Sequence, residues 1–181
     1  MRVIAGTAKG TRLARVPEGT RPLSDRAREG LFSSLAGEVP DGVCADLYAG
    51  TGAVGIEALS RGAASCLFVD SSAAAVAAVR ENLDRTGLGD RGRIVRGDVA
   101  LTLRGEGGTF DLVFLDPPYD LPEAELAAVL ALLVNRLVPN GAFVLTRPRR
   151  KDSTDVIPID WQSARLLTYG DTRIHVCRRQ P

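Results

Sequence analysis

Val43-Cys44-Ala45-Asp46-Leu47-Tyr48-Ala49-Gly50-Thr51-Gly52-Ala53-Val54-Gly55 is the stretch that decides the fold. A short apolar run reads as a buried strand over 43–48, and a glycine-rich segment then opens a helix over 53–61. Glycine lets the backbone turn tightly and approach a ligand closely. The glycines at 50, 52 and 55 spell G-x-G-x-x-G, which alone is weak evidence. Asp46, four residues before Gly50, gives the loop its sign. A carboxylate there accepts from an amino group and repels a pyrophosphate. The loop therefore suits a nucleoside carrying an amino acid better than a dinucleotide.

The same rhythm runs outward from this unit. Strands are expected at 43–48, 64–70, 93–97, 110–115 and 141–146, with helices near 53–61, 72–86, 98–104 and 122–137. Such alternation predicts an α/β, Rossmann-like fold: a mostly parallel, twisted sheet joined by right-handed crossovers and covered on both faces. At the C-terminal end, Ala164–Tyr169 and Thr172–Cys177 flank Gly170-Asp171 and predict an antiparallel hairpin closing one sheet edge. Residues 1–22 read as a small basic extension, with Val3–Ala5 and Arg12–Arg15 as the strands of an N-terminal β-hairpin. Residues 23–181 read as the catalytic domain. It begins with a helix capped by Ser24 that carries Ala27, Leu31, Phe32 and Leu35 on one face.

A chain of 181 residues, 45% hydrophobic and 25% charged, has the composition of a single globular domain with a short extension. No apolar run reaches the roughly 20 residues of a membrane helix, and the first residues lack the apolar core of a signal peptide, so a cytoplasmic protein is expected. Cys44, Cys66 and Cys177 are far apart in strand-like runs and read as buried hydrophobes, without a metal or disulfide role. Net charge is +1, yet residues 1–30 carry seven cationic against three anionic side chains, a local +4. Arg147, Arg149, Arg150 and Lys151 form a second basic knot. This asymmetry suits a polyanion, although such runs are as often a solvated face.

Acids recur at strand ends. Asp70 precedes Ser71 at the end of the second strand, twenty residues after Gly50, where a carboxylate meets ribose hydroxyls. Gly97-Asp98-Val99 ends the third strand, and Asp98 suits an adenine amino group or, equally, a helix cap. The fourth strand runs into Asp116-Pro117-Pro118-Tyr119. The prolines fix φ and remove two backbone donors, leaving a stiff, acceptor-rich corner beside a flat ring. That corner suits the amino group of a nucleobase. The competing reading is a turn that starts the next helix. His175 reads as a packed or surface residue, Trp161 and Tyr169 as packing, and Glu57 as a structural contact.

The glycine loop, Asp70, Asp98 and Asp116–Tyr119 together resemble the class I S-adenosylmethionine-dependent methyltransferases. This resemblance implies S-adenosylmethionine as cofactor, held by Asp46, Tyr48, Ala49, Gly50, Thr51, Gly52, Gly55, Asp70, Ser71, Gly97, Asp98 and Val99. Asp116, Pro117, Pro118 and Tyr119 would be catalytic at an exocyclic amino nitrogen. Arg2–Gly6, Lys9-Gly10, Arg21-Pro22, Asp25-Arg26, Arg28-Glu29, Asp46–Gly52 and Gly55–Ala63 are similar to the bacterial 16S ribosomal RNA guanine-N2 methyltransferases. That similarity implies guanine 966 of 16S ribosomal RNA, in the small subunit or its assembly intermediate, as substrate. A monomer is expected. It also places Arg21 to Arg28 beside cofactor and RNA. Arg2, Lys9, Arg12, Arg21, Arg26, Arg28 and Arg147 are the candidate RNA contacts, positioning phosphates without reading sequence. An N6-adenine methyltransferase on RNA or DNA, and a non-catalytic ribosome-assembly factor, remain as alternatives. The choice of guanine rests on the resemblance alone.

Overall fold

A computed structural model describes residues 1–14, 22–105, 107–149, 157 and 161–179. Arg15, Arg21, Arg150 and Lys151 lie outside the described residues. Helix α1 (Asp25–Ser34) leads into β1 (Val43–Leu47), α2 (Ala53–Ser60), β2 (Ser65–Asp70), α3 (Ala73–Thr86) and β3 (Gly92–Arg96). Next come α4 (Val99–Gly105), β4 (Phe110–Leu115), α5 (Glu123–Leu133), β5 (Leu137–Pro148), β6 (Trp161–Tyr169) and β7 (Thr172–Arg179). The sheet order is β3-β2-β1-β4-β5-β7-β6. Strands β1 to β5 pair in parallel, and β7 and β6 add antiparallel at one edge. The expected α/β sheet with its C-terminal hairpin is therefore the fold observed.

Strand order reverses at β1, with β2 and β3 on one side and β4 onward on the other. In open α/β sheets a crevice forms at this switch point, outside the carboxyl ends of the strands. Asp46 pairs in register with Phe114, and Leu47 with Leu115, so the glycine loop after β1 and Asp116 after β4 leave the sheet side by side.

Two apolar layers hold the sheet. One face packs Leu31 and Phe32 of α1, Ile56 and Leu59 of α2, and Val79 and Leu83 of α3 against Cys44, Cys66, Phe68 and Phe114. The other packs Val99 and Leu103 of α4 and Leu126, Val129, Leu130 and Leu133 of α5 against Leu47, Val113, Phe143 and Cys177. Burial on both faces explains why the strands are nearly continuous apolar runs rather than alternating ones. Trp161 meets Phe143 edge-on at 4.9 Å between ring centroids, as packing. All three cysteines are buried and free.

The N-terminal segment is less regular than a hairpin. Its pairing is one antiparallel bridge, Arg2 with Arg12, and the chain turns between them through backbone bonds such as Gly10 N–H to the Val3 carbonyl at 2.9 Å. Val3, Ala8 and Leu13 are buried in the same cluster as α1 and α2, so the segment shares the core of the main sheet. Glu57 fastens it, accepting from Ile4 N–H at 2.8 Å and Ala5 N–H at 3.0 Å. A second difference concerns 122–137. The helix stops at Leu133 and strand β5 begins at Leu137. Pro139 disfavours helix at the preceding residue, and Asn140 turns through a φ of 64°.

Candidate active site

The glycine loop is shaped by three left-handed residues: Tyr48 (φ 61°), Gly50 (φ 56°) and Gly52 (φ 72°). A non-glycine residue held at positive φ is strained, and such strain gathers at functional sites. A Cβ on Gly50 would meet no atom within 4 Å, so the loop faces open space there. Gly55 has the opposite role. A Cβ on it would sit 2.4 Å from Phe68 Cε1, so it allows α2 to pack tightly on β2.

The strand-end acids do more internal bonding than their sequence positions suggest. Asp46 is buried, and its Oδ2 accepts from Gly55 N–H at 2.8 Å, tying the end of β1 to the first turn of α2. Asp70 accepts from Gly50 N–H and from Ser72 N–H, each at 2.9 Å, and so clamps the loop itself. Asp98 accepts from Leu101 N–H at 2.8 Å, the helix-cap role, while Val99 packs in the core.

The carboxyls at the sheet edge hold protons more tightly than free ones. Burial pushes the Asp46 carboxyl up to about 8, the Gly55 N–H opposes this, and Asp116 and Asp70 add to it. Burial alone raises Asp116 to about 7, although it keeps some exposure at the mouth of the crevice. The Tyr48 hydroxyl is pushed up to about 12 by burial, then by Asp98 and Glu125. Acids crowded this way welcome a cation and repel a diphosphate.

Two hollows meet at Asp116. A narrow recess of about 50 Å³ is bounded by Asp46, Tyr48, Ala49, Gly50, Thr51 and Arg28, with Leu23 and Asp116 at its rim. A cleft of about 460 Å³ lies beside it, between Asp116 and Tyr119 on one side and Arg26, Thr146, Tyr169 and Asp171 on the other. Pro117 is buried and Pro118 exposed. The Pro118 carbonyl accepts from Leu121 N–H at 3.1 Å, so that oxygen closes a turn rather than facing outward. Helix α5 starts later, at Glu123, so Asp116–Tyr119 stand ahead of it rather than within its first turn.

The cofactor residues expected from sequence divide accordingly. Asp46, Tyr48, Ala49, Gly50 and Thr51 line the recess, and Gly52 and Gly55 shape the turn behind it. Asp70, Ser71, Gly97 and Asp98 lie along the edge at the ends of β2 and β3, outside both hollows. Of the expected RNA contacts, Arg2, Lys9 and Arg26 converge on one shallow depression, and Arg12 lies by Arg85 on another. Arg28 and Arg147 are corrections. Both are fully buried and offer nothing to a phosphate backbone. Arg28 follows Ala27 and precedes Leu31 and Phe32 by three and four residues, so it shares the apolar face of α1. That spacing was the available signal. Thr146, Thr168, Tyr169 and Asp171 were not expected at the site; antiparallel pairing of β7 with β5 and β6 carries them there.

A nucleoside bearing a sulfonium and an amino acid fits these features: an acidic edge, an open left-handed glycine, and a recess sized for an amino-acid group. Comparison with known proteins agrees. The family described as "Conserved hypothetical protein 95" matches residues 1–178. The chain is 30% identical over 187 residues to the ribosomal RNA small subunit methyltransferase D of Escherichia coli K12, covering 99% of this chain and 90% of that one. It is 32% identical over 174 residues to the protein of the same name from Haemophilus influenzae, covering 94% and 89%. A solved Escherichia coli structure superposes with a TM-score of 0.87 at 28% identity, covering 99% of this chain and 98% of the other. The fold is that of the class I S-adenosylmethionine-dependent methyltransferases. The chain belongs to the Conserved hypothetical protein 95 family, which is the family of the ribosomal RNA small subunit methyltransferase D proteins.

Proposed function

We propose that this protein methylates the exocyclic N2 of a guanine in 16S ribosomal RNA, position 966 by family resemblance, using S-adenosylmethionine and acting on the small subunit or its assembly intermediate. The observation that carries the reading is the place of Asp116. It borders both the recess of the glycine loop and the cleft of Tyr119, so donor and acceptor meet at its carboxylate.

The cofactor supplies an electrophilic methyl group on a sulfonium. The protein supplies position and polarity. An exocyclic amino nitrogen is a poor nucleophile because its lone pair is delocalised into the ring. Asp116 and the Pro117 carbonyl accept its two N–H groups and turn the lone pair out of the ring plane. Tyr119, about 40% exposed beside the cleft, stacks on the base. The acceptor form of Asp116 is the carboxylate, and its raised value of about 7 puts that ionisation in the working range. The target base must be unpaired or flipped to enter a cleft of this size. Arg2, Lys9, Arg12 and Arg26 on the exposed surface hold the phosphates, while Asp70, Asp98 and the glycine loop hold the nucleoside.

The test is methyl transfer from labelled S-adenosylmethionine to small subunits from a strain lacking the modification, run beside fully modified subunits and DNA. Label only in unmodified subunits is expected. Label in DNA, or none anywhere with cofactor bound, would overturn the reading.

A further inference from the structure

The larger cleft is walled by different parts of the chain. Asp116 and Tyr119 follow the end of β4, whereas the opposite wall comes from the start of α1 and from the edge strands β5 to β7. Three of the described residues lining the cleft are charged: Asp116, Arg26 and Asp171. The proposed methyl transfer engages Asp116 and makes no use of Asp171.

Backbone structure fixes where the other two charges stand. Arg26 lies in the first turn of α1, which Ser24 caps by accepting from Ala27 N–H at 3.2 Å. Asp171 lies in the tight turn between β6 and β7, after Gly170 at φ 58°, and its carbonyl accepts from Arg149 N–H at 2.7 Å. Both side chains are exposed, and neither makes a hydrogen bond or ion pair among the described residues. A fork of donors and a pair of acceptors are thus open to a ligand in the cleft. The other polar groups do not discriminate. The hydroxyls of Thr146, Thr168 and Thr172 donate or accept as a ligand requires. The Tyr169 hydroxyl abuts α1, where a Cβ on Gly30 would lie 1.7 Å from it.

A purine held by its C2 amino group at Asp116 presents the rest of that edge in a fixed order. In guanine, N1 donates and O6 accepts. A purine with an amino group at C6 reverses both: N1 accepts and the exocyclic group donates. One carboxylate and one guanidinium on the far wall complement the first order and oppose the second.

We infer that Asp171 and Arg26 select guanine, Asp171 by accepting from N1–H and Arg26 by donating to O6. The inference rests on the guanine-N2 reading given above and deepens it by naming the residues that read the base. Arg26 also borders the depression of Arg2 and Lys9. A guanidinium has donors on two edges, so one holds a phosphate while the other reads O6.

The test compares guanosine with 2,6-diaminopurine riboside, which keeps the C2 amino group and reverses the polarity at N1 and C6. Small subunits are reconstituted with 16S ribosomal RNA carrying either nucleoside at the target position. Methyl transfer is measured as kcat/KM for wild type, Arg26→Ala and Asp171→Asn. Wild type is expected to prefer guanosine by at least about 100-fold, and each variant to lower that preference by roughly 10-fold or more. Both side chains lie on the surface, so neither change disturbs the core. An arginine that held phosphate alone would slow both substrates equally. A preference that either variant leaves unchanged, or a wild type that methylates both nucleosides alike, overturns the assignment. A wild type that binds S-adenosylhomocysteine and methylates neither nucleoside overturns the guanine-N2 reading itself, and this inference with it.

Discussion

At the scale of residues, Asp116 is the position on which the proposed chemistry turns. It stands where β4 ends, beside the loop that leaves β1, and its carboxyl is lifted to about 7 by burial. Asp116→Ala removes the acceptor but little of the recess. Turnover under single-turnover conditions should fall by at least about 100-fold, the scale of a lost positioned transition-state contact. Affinity for S-adenosylhomocysteine should stay within about threefold, because the recess walls remain. Parallel losses in both would reassign Asp116 to cofactor binding. Asp46, Gly50 and Asp116, which line one recess, were legible as candidate site residues because their residue types are costly or unusual after a buried strand. Arg28 and Arg147 were misread as phosphate contacts because charge suggests surface, and only their spacing against apolar neighbours reveals burial.

Between elements, legibility followed periodicity and punctuation. Ser24 was readable as a helix cap, and its side chain does accept from Ala27 N–H at 3.2 Å. Strand β4 has the expected bounds. The junction of α5 and β5 was not readable, since Asn135-Arg136 interrupts the apolar run Val129–Val138 without a glycine or proline and is equally compatible with a continuing helix face, so only Pro139 marks the change. The cleft wall from β6 and β7 was invisible for a different reason. Thr146, Tyr169 and Asp171 reach Asp116 through long-range antiparallel pairing, which local pattern does not encode. The N-terminal segment carries the clearest element-level prediction. It is pinned to α2 through Glu57 and to Asn82 through Ala14 N–H at 2.7 Å, and it exposes Arg12. Arg12→Ala should weaken RNA binding and lower the slope of log affinity against log salt by about 0.7 to 0.9, one phosphate contact. An unchanged slope would remove this segment from the interface.

For the whole molecule, the acidic edge has a cost that shows in pH dependence. Asp46 and Asp116 have folded values of about 8 and about 7, against about 3.9 for an unfolded aspartate. Both are raised, so the folded state binds more protons between these values. Their stabilising contribution is complete below about pH 4 and is lost as pH rises through 7 to 8. Cofactor-free protein should therefore melt at progressively lower temperature from pH 5 to pH 9. Asp116→Asn, which cannot ionise, should gain on wild type as pH rises across that window. A constant difference between the two proteins would mean that Asp116 is not held protonated by burial. A cationic ligand in the recess offsets this cost, so the same edge that destabilises the empty protein favours the sulfonium.

Nucleoside analysis of the methylated product tests the central claim most directly. Small subunits lacking the modification are incubated with enzyme and tritiated S-adenosylmethionine, and their 16S ribosomal RNA is digested to nucleosides and separated. Label in N2-methylguanosine is the predicted result. Label in N6-methyladenosine would keep the fold and the site and contradict the guanine assignment.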